Sequence, residues 1–180
     1  KPSTLIYVKA LDKGNPAIKT EYRDEVFEID APFNGEGKSL VKTTNRFSGI
    51  DWGTESIAIV YDYWWDTRNR KAYVFNPSSP NSKPKTLYDR NYQDIYSDPG
   101  SFLKTRNTFN KNVLMLHKGS AFLRGAGFSE EGQFPFIDKV NITTLNKSRV
   151  YQSKYTDKVE AIQDYNPCLL YTSPSPRDTD

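Results

Sequence analysis

Two aspartates, Asp62 and Asp66, flank a pair of tryptophans and have the residue type and spacing that acid–base chemistry could use. Paired carboxyl groups in a cleft can donate a proton to a substrate and take one from it. Near turns, however, aspartate side chains more often accept hydrogen bonds from the backbone and stabilise the turn. We favour this structural role for both residues and predict that the chain contains no catalytic residue.

Four arginines, Arg68, Arg70, Arg90 and Arg106, occupy predicted loop or turn positions. A planar guanidinium group can bind a carboxylate through two parallel hydrogen bonds. Salt bridges between neighbouring sheets are a commoner use of such side chains, and both roles stay open at this point. The four arginines are therefore candidates for binding a carboxylate.

The sequence lacks the residue sets that nucleophilic, phosphate-binding and metal chemistry require. A Ser–His–Asp site would need the single histidine, His117, as its base, and Gly127–Gly132 has one residue too many for a nucleophile elbow. Gly35–Ser39 ends like a phosphate-binding loop, but Pro32 stands where that loop needs a glycine. One histidine and one cysteine make no metal-ligand set. We predict no triad, no cofactor and no metal.

The elements that position these residues are predicted to be short strands, centred on the stretch from Ser48 to Tyr88. Apolar and polar residues alternate through Ile57–Asp62, which is the period of a strand. A lead-in strand comes before it, and the apolar strand Ala72–Phe75 and the short strand Thr86–Tyr88 follow after turns. The stretch therefore predicts a meander of four antiparallel strands.

A pattern of an apolar strand, a polar turn and a second short strand occurs three times. It spans Val26–Val41, Tyr73–Tyr88 and Ile137–Val150, with a period of about 50 to 60 residues that suits large propeller blades. A sandwich would also contain many short strands, but the long repeat favours the propeller. We predict an all-β fold, a partial β-propeller of about three blades of antiparallel four-stranded sheets.

The composition of this 180-residue chain limits the classes of partner that we expect it to bind. A net charge of +3 is too small to indicate nucleic acid, and no apolar run is long enough to predict a membrane span. The chain begins at Lys1 without a methionine, so we expect it to be a piece of a longer protein. Periplasm and cytoplasm of a bacterium both remain open as its compartment.

The last residues differ in character from the rest. Cys168 to Asp178 (CLLYTSPSPRD) matches the in-frame translation of a sequencing-library adapter. We interpret residues 1–167 as the propeller fragment and residues 168–180 as a disordered tail derived from that adapter. A native tail rich in proline and serine is the alternative.

Several motifs, in order, resemble the N-terminal propeller of the prolyl oligopeptidase family of serine peptidases, in its glutamyl endopeptidase-like branch. One of these motifs is Tyr88–Ser101 (YDRNYQDIYSDPGS), and no single motif is decisive. Arg46–Gly53, Ala58–Arg68 and Gly132–Asp138 resemble other strands and turns of that branch. The resemblance extends from about Leu5 to Pro167, and it depends on the order and spacing of the motifs together.

The resemblance implies a cap that admits short or unfolded peptides to an α/β-hydrolase domain later in the chain. The serine, aspartate and histidine of the family lie in that domain, so peptide substrate would meet this chain only beside it. The branch cleaves after acidic residues, which makes Arg68, Arg90 and Arg106 candidate substrate-binding residues. A stand-alone binding propeller and a complete β-sandwich are the alternatives.

We also predict how the isolated fragment behaves in solution. The open edges of its sheets would make it poorly soluble or oligomeric.

Overall fold

The computed structural model describes residues 3–80, 82–168 and 171–177, and these residues form strands and no helix. The all-β prediction is confirmed. The strands, in chain order, are β1 (Thr4–Ala10), β2 (Asp24–Asp30), β3 (Lys38–Thr43), β4 (Arg46–Thr54), β5 (Ile57–Trp64), β6 (Asn69–Phe75), β7 (Lys85–Asn91), β8 (Ser101–Phe102), β9 (Lys104–Arg106), β10 (Asn112–Leu114), β11 (Leu116–His117), β12 (Ser120–Gly125), β13 (Phe128–Ser129), β14 (Gly132–Gln133), β15 (Phe136–Asn141), β16 (Lys147–Gln152), β17 (Val159–Asn166) and β18 (Tyr171–Arg177).

The chain divides into two compact units, residues 1–91 and 92–180. The first unit holds two antiparallel sheets, a three-stranded sheet in the order β1-β2-β3 and a four-stranded sheet in the order β4-β5-β6-β7. The second sheet is the predicted meander, in which each strand pairs with the next along the chain. Because short turns join its strands, this sheet has the form of a propeller blade.

Alternating apolar side chains from both sheets of the first unit form one core. Trp52 packs edge-on against Phe75, with ring centroids 6.4 Å apart. Burying such side chains is the main source of stability in a domain of this size. The buried members of the core are Val26, Leu40, Val41, Ala58, Val60, Tyr73 and Phe75.

The second unit contains a five-stranded antiparallel sheet. Its main path runs β11-β12-β15-β16. The fifth strand, β8, pairs with Leu123 and Arg124 of β12, next to the part of β12 that pairs with β11. Two short ribbons, β9 with β10 and β13 with β14, lie outside this sheet. The core of the unit is formed by Phe122, Ile137, Ile162 and Tyr165, in which Tyr165 and Phe122 have ring centroids 5.1 Å apart.

The predicted repeat is present as three hairpins, β2–β3, β6–β7 and β15–β16, and each has one register shift. A bulge of this kind leaves one residue of the second strand without a cross-strand partner. The shift follows Val26, Ala72 and Ile137, and the bulged residues are Leu40, Leu87 and Val150.

The backbone of residues 171–177 runs antiparallel to β17 as β18. The assignment of residues 168–180 to an adapter stays a prediction, and residues 169–170 and 178–180 lie outside the described residues. The division of the chain at residue 167 likewise stays a prediction.

Candidate functional site

Two of the predicted carboxylate-binding arginines lie at one end of the four-stranded sheet. Arg68 immediately precedes β6 in a left-handed backbone conformation, with φ of 57°. Its guanidinium group lies 4.4 Å from the ring centroid of Trp65 and donates a hydrogen bond to the carbonyl oxygen of Trp65. Trp65 is 67% exposed, so this stacked pair faces solvent.

Arg90 lies in β7, opposite Arg70 in β6. The Arg70 guanidinium lies 5.5 Å above the ring of Tyr61, which is one strand further into the sheet. Asn69, the residue after Arg68, pairs with Asn91, the residue after Arg90. The fold therefore brings Arg70, the fourth predicted arginine, to the same sheet end as Arg68 and Arg90.

Arg106 belongs to the second unit, where it ends the short strand β9. Its exposed guanidinium donates to the backbone carbonyl oxygen of Asn110 at 2.9 Å and to the Asn110 side-chain oxygen at 3.1 Å. These contacts close the turn between β9 and β10. They leave other N–H groups of the guanidinium, which has five donors, able to reach a ligand.

Asp62 has the structural role that we favoured. It is fully buried and accepts hydrogen bonds from the backbone and side-chain nitrogens of Asn45, both at 3.0 Å, and from the Tyr73 hydroxyl at 3.1 Å. A buried carboxylate needs such partners, because burial removes the hydrogen bonds it makes with water. Burial raises the pKa of the Tyr73 hydroxyl, which keeps it protonated as a donor to Asp62. Asp66 is exposed in the turn between β5 and β6.

A second buried charge cluster joins the two sheets of the first unit, and sequence reasoning did not find it. It consists of Asp12, Arg23, Asp24 and Arg46. Arg46 donates to both carboxylate oxygens of Asp12, at 2.8 and 2.6 Å, and to Asp24 at 2.7 Å. Arg23 donates to Asp12 at 2.7 Å. The turn residues after β1 are thereby fastened to the first residue of β4.

The charges in this cluster compensate each other. Burial opposes ionisation of Asp12, but hydrogen bonds from Arg46 and then Arg23 outweigh it and hold the pKa of the carboxyl group below its ordinary value of 3.8. The Arg23 guanidinium also lies 3.8 Å from the Trp64 ring centroid, which is a cation–π contact with β5. Salt bridging between sheets therefore exists on Arg46, whereas the Arg23 salt bridge stays within the β1–β2 connection. Every carboxylate oxygen of the cluster is engaged, so it serves packing and has no open group for chemistry.

The second unit contains a cavity of about 330 Å³ beside its core. Apolar side chains such as Phe102, Met115 and Ile162 line it, and Lys104, Arg124 and Asp164 contribute charge. Arg124 donates to the carbonyl oxygen of Ile162 at 3.0 Å, which ties β12 to β17.

His117 lies in β11, and its Nδ1 is 3.7 Å from the Cys168 sulfur. Within the described ranges, no three histidine, cysteine, aspartate or glutamate side chains are grouped as a metal site. The part of the chain that the structure describes has no helix with the length and apolar character needed to cross a membrane.

These features place the chain in the class of all-β proteins built from small antiparallel sheets. Its buried carboxylates hold the sheets together through hydrogen bonds. Comparison with known proteins shows that the chain is homologous to the N-terminal part of plant glutamyl endopeptidases. The predicted resemblance to this branch is confirmed. No family model and no solved structure matches the chain.

Two relatives carry this result, and both have the name "Probable glutamyl endopeptidase, chloroplastic". The protein from Oryza sativa subsp. japonica is 35% identical over 172 residues, and that from Arabidopsis thaliana is 34% identical over 173 residues. Each alignment covers 90% of this chain and 18% of the relative. The chain therefore spans about a fifth of the length of the proteins it matches.

Proposed function

We propose that this chain is a non-catalytic propeller portion of a longer serine peptidase. In that protein it caps an α/β-hydrolase active site and filters which polypeptides reach it. The observation that carries this proposal is the similarity to two glutamyl endopeptidases over 90% of this chain but 18% of theirs. A segment of this kind contributes to function through the rest of the polypeptide.

The structure supports a filtering role over a catalytic one. Buried carboxylates at Asp12 and Asp62 are fully engaged in hydrogen bonds within the sheets. The single histidine lies in a two-residue strand with the Cys168 sulfur beside it. Sheets held by such networks are rigid, and a rigid cap excludes folded proteins by size while it admits extended peptides.

The test uses the full-length protein encoded by the source gene. Arg46→Ala removes the contact that fastens β4 to Asp12 and loosens the cap. We expect hydrolysis of a short peptide with glutamate before the scissile bond to change by less than about twofold, and cleavage of a long folded protein to rise several-fold. Lys111→Ala, in the exposed turn between β9 and β10, is the matched control for the loss of a positive charge.

Equal losses on both substrates would contradict the filtering role. A full-length gene product that contains sheets alone, without a Gly-x-Ser-x-Gly motif and later aspartate and histidine, would favour the stand-alone binding propeller.

We further propose that Arg68, Arg90 and Arg106 provide positive charge for the acidic residue of the peptide. Arg68 and Arg90 lie at one sheet end, and Arg106 is exposed. A charge-assisted contact to a glutamate carboxylate is strong enough to change kcat/KM by about tenfold. Single alanine variants of the full-length enzyme should lose about that factor on glutamate peptides and nothing on matched alanine peptides. Equal losses on the two peptides would exclude the role.

A further inference from the structure

The cavity of the second unit has a buried, mainly apolar floor and an exposed polar rim. The buried residues of its lining, which we call the floor, are Phe102, Ile137, Ile162 and Tyr165. The exposed residues of its lining, which we call the rim, are Lys104, Arg124, Gln163 and Asp164. Ligand sites commonly combine apolar walls with a few polar groups that orient the ligand. The cavity therefore has the general character of a small-molecule site.

The floor contains a buried hydroxyl group that the fold leaves without a partner. Tyr165 is 3% exposed, and its hydroxyl has no hydrogen-bond partner among the described residues. Its ring packs on Phe122, with centroids 5.1 Å apart, which holds the side chain in place. Burial raises the pKa of this hydroxyl, so it stays protonated and can donate. Because buried polar groups are almost always hydrogen-bonded, a polar atom within the cavity is the expected partner.

The charges of the rim favour a ligand with one negative charge. Lys104 and Arg124 contribute two positive charges and Asp164 one negative charge, which leaves one net positive charge. Arg124 is held at the cavity, because it donates to the carbonyl oxygen of Ile162 at 3.0 Å. A guanidinium group has several further N–H donors, and they match the geometry of a carboxylate.

The volume of the cavity sets the size of this ligand. The cavity measures about 330 Å³. A water molecule occupies about 30 Å³ in the liquid, so this space corresponds to a ligand of about ten non-hydrogen atoms. Phe102 and Met115 in the lining favour an aromatic ring, since ring–ring and sulfur–ring contacts are both attractive.

We propose that this cavity binds a small aromatic monocarboxylic acid that carries a hydroxyl group on its ring. The ring packs on the floor, and the carboxylate accepts hydrogen bonds from Arg124 and Lys104. The hydroxyl oxygen of the ligand accepts a hydrogen bond from the Tyr165 hydroxyl. The site lies within the second unit, so binding there does not require the hydrolase domain of the proposed peptidase.

Saturation-transfer NMR on the full chain, which observes the ligand and tolerates oligomers, tests the site with three compounds. The probe is para-hydroxyphenylacetate. Phenylacetate lacks its hydroxyl group, and para-hydroxyphenylacetamide lacks its negative charge. We expect a Kd of about 1 mM or below for the probe, and binding at least about fivefold weaker for each of the other two.

Variants of the lining residues locate the site. Tyr165→Phe removes one oxygen and should weaken the probe about fivefold while leaving phenylacetate unchanged, whereas a change in the fold would weaken both. Lys104→Ala should weaken both acids about threefold and leave the amide unchanged. The matched control is Lys139→Ala, exposed in β15 and outside the lining, which should leave the binding of all three compounds unchanged.

Failure of the probe to bind, or equal binding of the probe and its amide, would overturn the proposal. Equal weakening of both acids by Tyr165→Phe would overturn the hydroxyl contact and assign that group to a bound water molecule. A loss in Lys139→Ala as large as that in Lys104→Ala would overturn the location of the site.

Discussion

Arg46 donates hydrogen bonds from one guanidinium nitrogen to both carboxylate oxygens of Asp12, at 2.8 and 2.6 Å. Asp12 follows β1, whereas Arg46 begins β4, so this contact joins the two sheets of the first unit. The Arg46 guanidinium is partly exposed, while the Asp12 carboxylate has no exposed surface. The pair therefore adds a polar connection between the two sheets to the apolar core that they share.

Loss of this contact should destabilise the first unit. In Arg46→Ala, Asp12 stays buried with Arg23 as its remaining cation among the described residues, and Asp24 loses its ion pair with Arg46. An incompletely paired buried carboxylate is costly, and we expect the Tm to fall by about 5 °C or more. Thermal unfolding followed by circular dichroism measures this change. Arg106→Ala should leave the Tm within about 1 °C, since its contacts lie in an exposed turn.

Stability should fall in acid because the pKa of Asp12 is lower in the folded chain than the ordinary value of 3.8. A group of this kind contributes stability above its unfolded pKa and loses it as the pH falls through the folded pKa. Urea unfolding across pH 2 to 7 should therefore show a loss beginning near the unfolded value. In Asp12→Asn we expect lower stability at pH 7 and a shallower acid slope. An identical slope in both proteins would show that other carboxylates govern the acid loss.

Asp62 should be far more sensitive to substitution than Asp66, four residues later. In Asp62→Ala the buried groups of Asn45 and Tyr73 lose their acceptor, at a cost of about 2 kcal/mol or more in the free energy of unfolding. Asp66→Ala, in an exposed turn, should change it by less than about 0.5 kcal/mol. Equal effects in chemical denaturation would contradict the assigned roles.

Tyr151 should ionise later than an ordinary tyrosine. Burial, followed by its hydrogen bond to Glu160 at 2.6 Å, raises the pKa of the Tyr151 hydroxyl to about 12. Its stabilising effect is present below pH 10, the unfolded value, and is lost as the pH rises through the folded value. Ultraviolet titration of the chain minus that of Tyr151→Phe isolates this phenol. A midpoint near pH 10 in the difference curve would show that the Glu160 contact is not held.

Local patterns were sufficient for the main strands of the first unit, but the predicted loop positions of Arg90 and Arg106 were wrong, because these residues lie in β7 and β9. Alternation through Ile57–Asp62 corresponds to β5, and the polar stretch after it corresponds to the turn before β6. The three predicted repeats are the three bulged hairpins, because strand period and turn residues are properties of neighbouring positions. The structural role of Asp62 also followed from its type, although its partner Asn45 did not.

The long-range site contacts were not predictable in the same way. Arg68, Arg90 and Arg106 were chosen for their loop positions, whereas salt bridging between sheets falls on Arg46, and Arg23 pairs with Asp12 within one sheet. Nothing close to either arginine along the chain indicates that Asp12 would be buried beside it. Cross-strand register made Arg70 a neighbour of Arg90.

The sequence by itself therefore determined the all-β class, the hairpin repeat and the relationship to glutamyl endopeptidases. These depend on short-range period and on the order of motifs, which one chain displays in full. Only the tertiary structure decided that Asp12 lies between two arginines and that Arg70 lies opposite Arg90. Both depend on how sheets pair and pack, since burial and register bring together residues that are distant along the chain.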